Sequence, residues 1–387
     1  MRSKKFILLV VLFLLLLSQI PFAYRRVKLR RLSNAIQQLN SQRTPAQTNG
    51  YKEYKGVIHV HSFLGGHSSG NFAEIISAAQ ANQLQFVIMT EHTEKEFDTA
   101  AMTLKGTHGG VLFINGNETS AENGDRLLVL PGDVSIVAYP QEFKNWDAAR
   151  DNGVGGVEVY NVFTNAKQAN PVIAFFDVLW SQRSYPDLIF ALYFQRPDES
   201  LKKWDQALTR ARLTATGGND AHANIGVSLN DSSGKKLLGI QLDPYEVSFR
   251  LVRLHVLIEE NKPLDETSLI EAIRAGHCFI GFDFLGDSSG FAFEGHSSDQ
   301  RLLFDNLPVR YIQGDEIKMR NGGTEIKVQT PVPSRVVLYK DGSVIMDESG
   351  VTSREFTVVE PGVYRAEVYL PQLGNRLWII SNPIYVR

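Results

Sequence analysis

His59 and His61 stand two residues apart in Val57-Ile58-His59-Val60-His61, an apolar stretch that predicts a β-strand. Two residues apart on a strand, both imidazoles point to one face and can converge on a single metal ion. His67 follows in a Gly-Gly-His-Ser-Ser-Gly loop, whose flexible backbone can fold a third imidazole back over the strand end. His92 ends the next strand in Thr90-Glu91-His92, and Glu118 follows a third in Gly116-Asn117-Glu118-Thr119. Asp220 and His222 follow another in Gly217-Gly218-Asn219-Asp220-Ala221-His222. Imidazoles and carboxylates gathered in this way suit divalent cations, which acidify water and so provide a hydrolytic nucleophile without Ser or Cys.

Each of the seven lies at or just past the C-terminal end of a predicted strand, where βα-barrels assemble active sites from several strands. Short β-branched runs at 57–61, 86–89, 111–114, 127–130, 134–138 and 157–160 alternate with helical stretches, which predicts a parallel sheet or barrel. The first helix should start near Asn71, where Glu74 completes a capping-box pattern and Phe72, Ile75, Ile76 and Ala79 recur at helical spacing. From about residue 302 the character changes. Alternating strands at 335–339 and 364–370, a Lys340-Asp341-Gly342-Ser343 turn and Pro361-Gly362 predict a small β-sandwich.

A chain of 387 residues exceeds what one core usually organises. With 43% apolar and 21% charged residues it is neither disordered nor fibrous. Its 40 Lys+Arg are matched by 42 Asp+Glu, so no basic surface for nucleic acid is expected. Cys278 is the only cysteine, which excludes an intrachain disulfide and a cysteine-ligated metal. Residues 6–17 are unbroken apolar, and extension to Tyr24 gives about the length that spans a bilayer. Arg2, Lys4 and Lys5 precede the run, and Pro21-Phe22-Ala23 makes a poor cleavage site, so an uncleaved single-pass anchor is expected. The body is expected on the extracytoplasmic side, although Arg25, Arg26, Lys28, Arg30 and Arg31 after the span pull the other way. The expected divisions are an anchor with basic flanks at 1–31, a polar linker at 32–50, a hydrolase barrel at 51–300 and the β-sandwich at 301–387. His108, His255, His277 and His296 lack a partner at ligand spacing and read as surface or core residues. Glu91 reads equally as a support for the ligands or as an exposed acid at a strand end.

A His-x-His strand, an acid-His strand end, a lone Glu and a closing Asp-x-His resemble the motifs of the PHP (polymerase and histidinol phosphatase) superfamily, over residues 51–293. The resemblance implies a distorted (βα)7 barrel, with His59, His61, Glu118 and Asp220 on one ion and His67, His92 and His222 on another. Two departures stand out. Arg126 and Tyr139-Pro140 occupy positions where the family often has histidines for a third ion, which points to one or two ions, with Asp125 a shifted substitute. Arg126 would then supply fixed positive charge to a substrate oxyanion. Residues 269–276 and 378–384 resemble the carbaryl-hydrolase-like branch, which makes a carbamate or carboxylic ester the rival of a phosphoester. Glu118 would bridge ions, and His222 or His92 could shuttle a proton, with zinc, manganese or iron as the metal. The sequence therefore predicts a membrane-bound metal-dependent hydrolase of small ester substrates, foremost a phosphoesterase. The non-enzymatic alternative is a membrane-bound, metal-binding adaptor.

Overall fold

A computed structural model describes residues 2–45, 50–121, 123–144, 146, 154–224, 226–230, 236–241, 243–297, 309–319 and 323–387. The chain begins with one helix, α1 (Arg2–Ser41), of 40 residues. Among the described residues it is the one helix long and apolar enough to cross a membrane, by length and composition. Residues 32–41, expected as linker, continue this helix. Leu29 and Leu39 are buried, and Leu32, Ala35 and Ile36 pack between them on the core. That stripe recurs at helical spacing and was masked by the polar residues around it. Of the remaining linker, 46–49 lie outside the described residues.

Ten strands frame the site: β1 (Tyr51–Val60), β2 (Phe86–Met89), β3 (Glu91–His92), β4 (Gly106–His108), β5 (Val111–Ile114), β6 (Asn117–Ser120), β7 (Arg126–Leu130), β8 (Val134–Ala138), β9 (Val154–Asn161) and β10 (Thr214–Gly218). β1, β2 and β5 are parallel neighbours in one sheet, while β3 and β6, which follow β2 and β5 almost at once, open a second sheet ordered β10-β9-β8-β7-β6-β3. Backbone bonds from Asn219 N to Ile58 O (3.0 Å), Ala221 N to His59 O (3.1 Å) and His61 N to Ala221 O (3.0 Å) join β1 to the segment after β10. The expected strict alternation of strand and helix fails at β6, β7 and β8, which pair antiparallel. A parallel crossover needs about a dozen residues, far more than the links between these strands contain.

The helices α2 (Phe72–Ala81), α3 (Thr99–Met102), α4 (Val162–Ala166), α5 (Pro171–Ser181), α6 (Asp198–Leu208), α7 (Tyr245–Ser248) and α8 (Glu266–Ala275) complete the mixed α/β body. The capping box of α2 forms as the sequence predicts, with Asn71 and Glu74 bonding each other's backbone N–H. Between α6 and α8 run the strands β11 (Gly226–Asn230), β12 (Lys236–Gln241) and β13 (Arg253–Glu259).

After β14 (Cys278–Gly281) come β15 (Ala292–Ser297), β16 (Val309–Ile312), β17 (Glu316–Ile317), β18 (Thr324–Lys340), β19 (Ser343–Val358), β20 (Gly362–Leu370), β21 (Arg376–Ser381) and β22 (Ile384–Val386). The first sheet crosses the division expected at residues 300 and 301: β13 pairs with β1, β14 with β13, and β21 with β14, all antiparallel. Asn382, fully buried, adds to the seam by bonding Ala215 N and O and Cys278 O. Behind it, the Arg365 guanidinium joins Asp205 of α6 (2.6 and 2.7 Å) to Glu367 of β20 (2.6 Å). Asp341 and Gly342, both at positive φ, make the tight β18–β19 turn that their types predict.

His255, fully buried on β13, is clamped between Glu53 Oε1 (2.7 Å) and Asp283 Oδ2 (3.3 Å). Burial opposes its charge, but Asp283 and Glu53 outweigh that and push the imidazole up to about 9. The folded value lies above the unfolded value of about 6.5, so this contribution is complete below pH ~6.5 and is lost as pH rises through about 9. A shift of that size corresponds to about 3 kcal/mol. The urea midpoint should therefore fall across that window, and His255→Gln should flatten the fall. Identical pH profiles for the two proteins would contradict this role.

Candidate metal centre

β1 ends in an irregularity. Its register against β2 shifts between Ile58 and Val60, and His59 takes φ 68°. His59 and His61 still converge, with ring centroids 5.0 Å apart, but through this bulge rather than through plain strand alternation. Asp220 (φ 48°) and Tyr139 (φ 52°) are also left-handed. Such backbone costs free energy in non-glycine residues and persists where the surroundings impose it, commonly at functional sites.

Four buried atoms face one another here: His59 Nε2, His61 Nε2, Glu118 Oε2 and Asp220 Oδ1. Each imidazole nitrogen lies 3.5–3.6 Å from both carboxylate oxygens. None of the four has a hydrogen-bond partner among the described residues. Ligand atoms held about 2.1 Å from a tetrahedral ion sit about 3.4 Å apart, so this spacing fits a divalent cation. Burying four unpartnered polar atoms would be costly without such a ligand. Burial raises Glu118, but His59, His92 and Arg126 outweigh it and hold the carboxylate at about 2. His61 is lowered by burial and by the neighbouring His59 and His222, which favours the neutral form that binds metal.

Two triads have their ligand atoms within reach of one another, His59, His61 and Glu118, and beside it His61, His92 and His222. The His61 ring stacks on those of His92 and His222 at 4.4 and 4.2 Å, and His222 Nδ1 lies 3.3 Å from Asp220 Oδ1. His67 stands further out, its ring 4.9 Å from that of His92, and belongs to neither triad. Its loop is tied across the site: Ser68 donates to His222 O, and Asn224 donates to His67 O. All seven residues singled out in the sequence thus meet at one end of the strands.

Three supports were not recognised from sequence. Glu158, fully buried on β9, meets His59 Nδ1 at 2.6 Å and so directs Nε2 toward the carboxylates. Asn161 donates to Glu158 Oε2 (3.0 Å) and Asp220 Oδ2 (3.3 Å). Tyr139 donates to Asp220 Oδ2 at 2.7 Å. The available signal was an acid inside the otherwise apolar Val157-Glu158-Val159-Tyr160 strand. Gly218 leaves the room, since a Cβ there would meet Glu158 Oε1 at 1.6 Å. Glu91, by contrast, braces the loop after β1, accepting from Ser62 N (2.9 Å) and the Thr103 hydroxyl (2.7 Å). Asp125 accepts from Asn123 Nδ2 within its own turn and from Lys144 N beyond β8. The four histidines set aside in the sequence lie elsewhere: His255 in its clamp, His277 on Asp315, His296 near Glu294, and His108 against Lys105 O.

A cavity of about 470 Å³ opens onto the cluster. Glu118, Asp220, His67, His92, His222 and Arg126 form its polar end, and Val162, Phe163, Ala174, Val178, Ile189 and Phe190 are among its apolar walls. Arg126 donates to Glu118 Oε1 (3.0 Å) with its side chain still 45% exposed, so the guanidinium can meet a ligand in the cavity.

No family model matches the chain, and no curated protein matches it. Among solved structures, a two-domain protein from Bacteroides vulgatus containing a predicted PHP-like metal-dependent phosphoesterase is similar at 14% identity and a TM-score of 0.38. The match covers 88% of this chain and 98% of that one. At that distance, any functional reading has to stand on the chain's own residues.

Proposed function

We propose that the chain is a metal-dependent hydrolase of ester bonds, foremost a phosphoesterase, carried on a membrane anchor. The observation that carries this reading is the set of four buried atoms without a hydrogen-bond partner on His59, His61, Glu118 and Asp220, of which Glu118 and Asp220 line the cavity. These four would hold one divalent ion, with zinc, manganese or iron all compatible with the donors. His92 and His222, with His67 beside them, would hold a second, and Glu118 would serve both. Divalent ions there supply Lewis acidity toward the ester's oxygen and lower the pKa of water. The protein groups do the rest. Glu158 keeps His59 oriented, and Tyr139 and Asn161 keep Asp220 oriented. Arg126 aims a guanidinium at the anionic oxygens, with two donors to offer a phosphate.

The cavity at the ligand atoms favours an enzyme over an adaptor with a structural metal, whose ligands would close around the ion. The pairing of β1, β2 and β5, continued through β3 and β6 to β10 and back to β1, supports reading residues 51–300 as a distorted seven-stranded barrel. The C-terminal strands then form a sandwich built onto it.

The test is a panel of phosphomonoesters, phosphodiesters, carboxylic esters and carbamates, assayed after metal removal and again after restoration. Phosphoester hydrolysis should vanish with the metal and return with it, and Arg126→Ala should raise KM by about tenfold to a hundredfold, as loss of a charged hydrogen bond does. Turnover of carbamates or carboxylic esters alone would move the assignment to that class. Tight metal binding without turnover of any ester would favour the adaptor.

A further inference from the structure

Helix α5 has three different surroundings on its three sides. Toward α1, Phe176 stacks on Phe22 at 4.9 Å, buried Asp177 takes a bidentate bond from Arg25, and Trp180 Nε1 donates to Gln19 Oε1 at 3.0 Å. Toward the centre, Ala174 and Val178 line the cavity. On the third side Val172, Phe175 and Leu179 are 64, 49 and 61% exposed. A soluble body gains nothing from displaying that many large apolar groups on one helix, and such patches mark contact surfaces.

The position of α5 along α1 says what covers them. At 1.5 Å per residue, about twenty residues cross the hydrocarbon of a bilayer, so a span beginning near Lys5 ends near Tyr24. The residues of α1 that hold α5 are Gln19, Phe22, Arg25 and Arg26, the last donating to Trp180 O, and they stand where the span leaves the bilayer. The hold is backed from the other end, because α1, with Pro21 inside it, runs on to Ser41 and packs on the core at Leu29 and Leu39. Short apolar helices fixed at that level lie in the membrane interface with their exposed face among the acyl chains.

Resting on the hydrolase reading above, we infer that the substrate is a lipid phosphoester drawn sideways from the bilayer that holds the anchor. Helix α5 lies in the interface, between the acyl chains on one side and the cavity on the other. The apolar walls at Val162, Val178, Ile189 and Phe190 receive the acyl part, and the phosphate reaches the His/Asp/Glu end beside Arg126. In the reaction, water gives its oxygen to phosphorus, the bond from phosphorus to the lipid alcohol oxygen breaks, and the departing alkoxide takes up a proton.

The experiment uses the full chain in phosphatidylcholine vesicles with its metal restored. It compares vesicle-borne phosphatidic acid and phosphatidylglycerol with their deacylated, water-soluble counterparts, glycerol phosphate and glycerophosphoglycerol. A lipid should be hydrolysed with at least tenfold higher kcat/KM than its deacylated counterpart. Val172→Gln with Leu179→Gln should lower turnover of the lipid about tenfold and leave that of a water-soluble phosphoester unchanged. Equal or faster hydrolysis of the deacylated compounds would overturn the lipid inference and leave the hydrolase standing. An equal loss on lipid and soluble esters in the double variant would also overturn it, because α5 would then be acting through the fold. If no phosphoester of either kind were hydrolysed by the metal-loaded protein, both the inference and the phosphoesterase reading would be rejected.

Discussion

Replacing Asp220 by Asn should cut metal-dependent turnover about a thousandfold, because a Lewis-acid ion contributes several kcal/mol to the transition state. Asn is the informative choice. Asp220 sits at φ 48°, a left-handed conformation that Asn tolerates well and Ala does not, so the backbone that also carries His222 keeps its path. What changes is charge. Oδ2 is already engaged by Tyr139 at 2.7 Å and by Asn161, while Oδ1 faces His59 and His61 at 3.6 Å. The amide loses the anion from the group that faces both imidazoles. Bound metal measured by mass spectrometry should fall together with kcat/KM while the circular dichroism spectrum stays the same. Full metal content with full activity would remove Asp220 from the centre.

The largest effect on stability is expected at Arg365. Its side chain is 2% exposed and bonds Asp205 on one side and Glu367 on the other. Burial works against Glu367 as an anion, but Arg196 and Arg365 outweigh it and hold its carboxyl at about 2. Arg365→Met keeps much of the bulk and removes the cation, leaving Asp205 without this partner and Glu367 with Arg196 and the Tyr369 hydroxyl. Breaking a buried pair in this way costs about 3–5 kcal/mol. The urea midpoint should drop accordingly, and an unchanged midpoint would mean that the pair is replaced by solvent at no cost.

The residues of the proposed metal centre were legible in the sequence because their types are rare, their motifs are local, and each was expected at or just past the end of a strand. Glu158 was not, because its partner His59 is 99 residues away and nothing near it in the chain announces the contact. The same limit applies to pairing. Apolar periodicity marked the strands, yet it could not tell that β14 would take β21 as a neighbour, or that short links would turn β6, β7 and β8 antiparallel. In the stretch expected as linker, the four apolar residues Leu32, Ala35, Ile36 and Leu39 at helical spacing were outnumbered by Asn, Gln, Ser and Thr, so composition hid the stripe that packs α1 on the core. The roles of α5 were out of reach for a related reason, since an apolar helix reads alike whether core, cavity or bilayer covers it.

The seam between β14 and β21 also bears on how the protein is made. β14 is complete when Gly281 leaves the ribosome, but the strand that covers its edge includes Ile379 and Ser381, made about a hundred residues later. At about 5–20 residues per second, that edge stays open for roughly 5–20 seconds. Until then a nascent chain carries an unpaired apolar strand edge, and a chain cut short before Arg376 would keep it open for good.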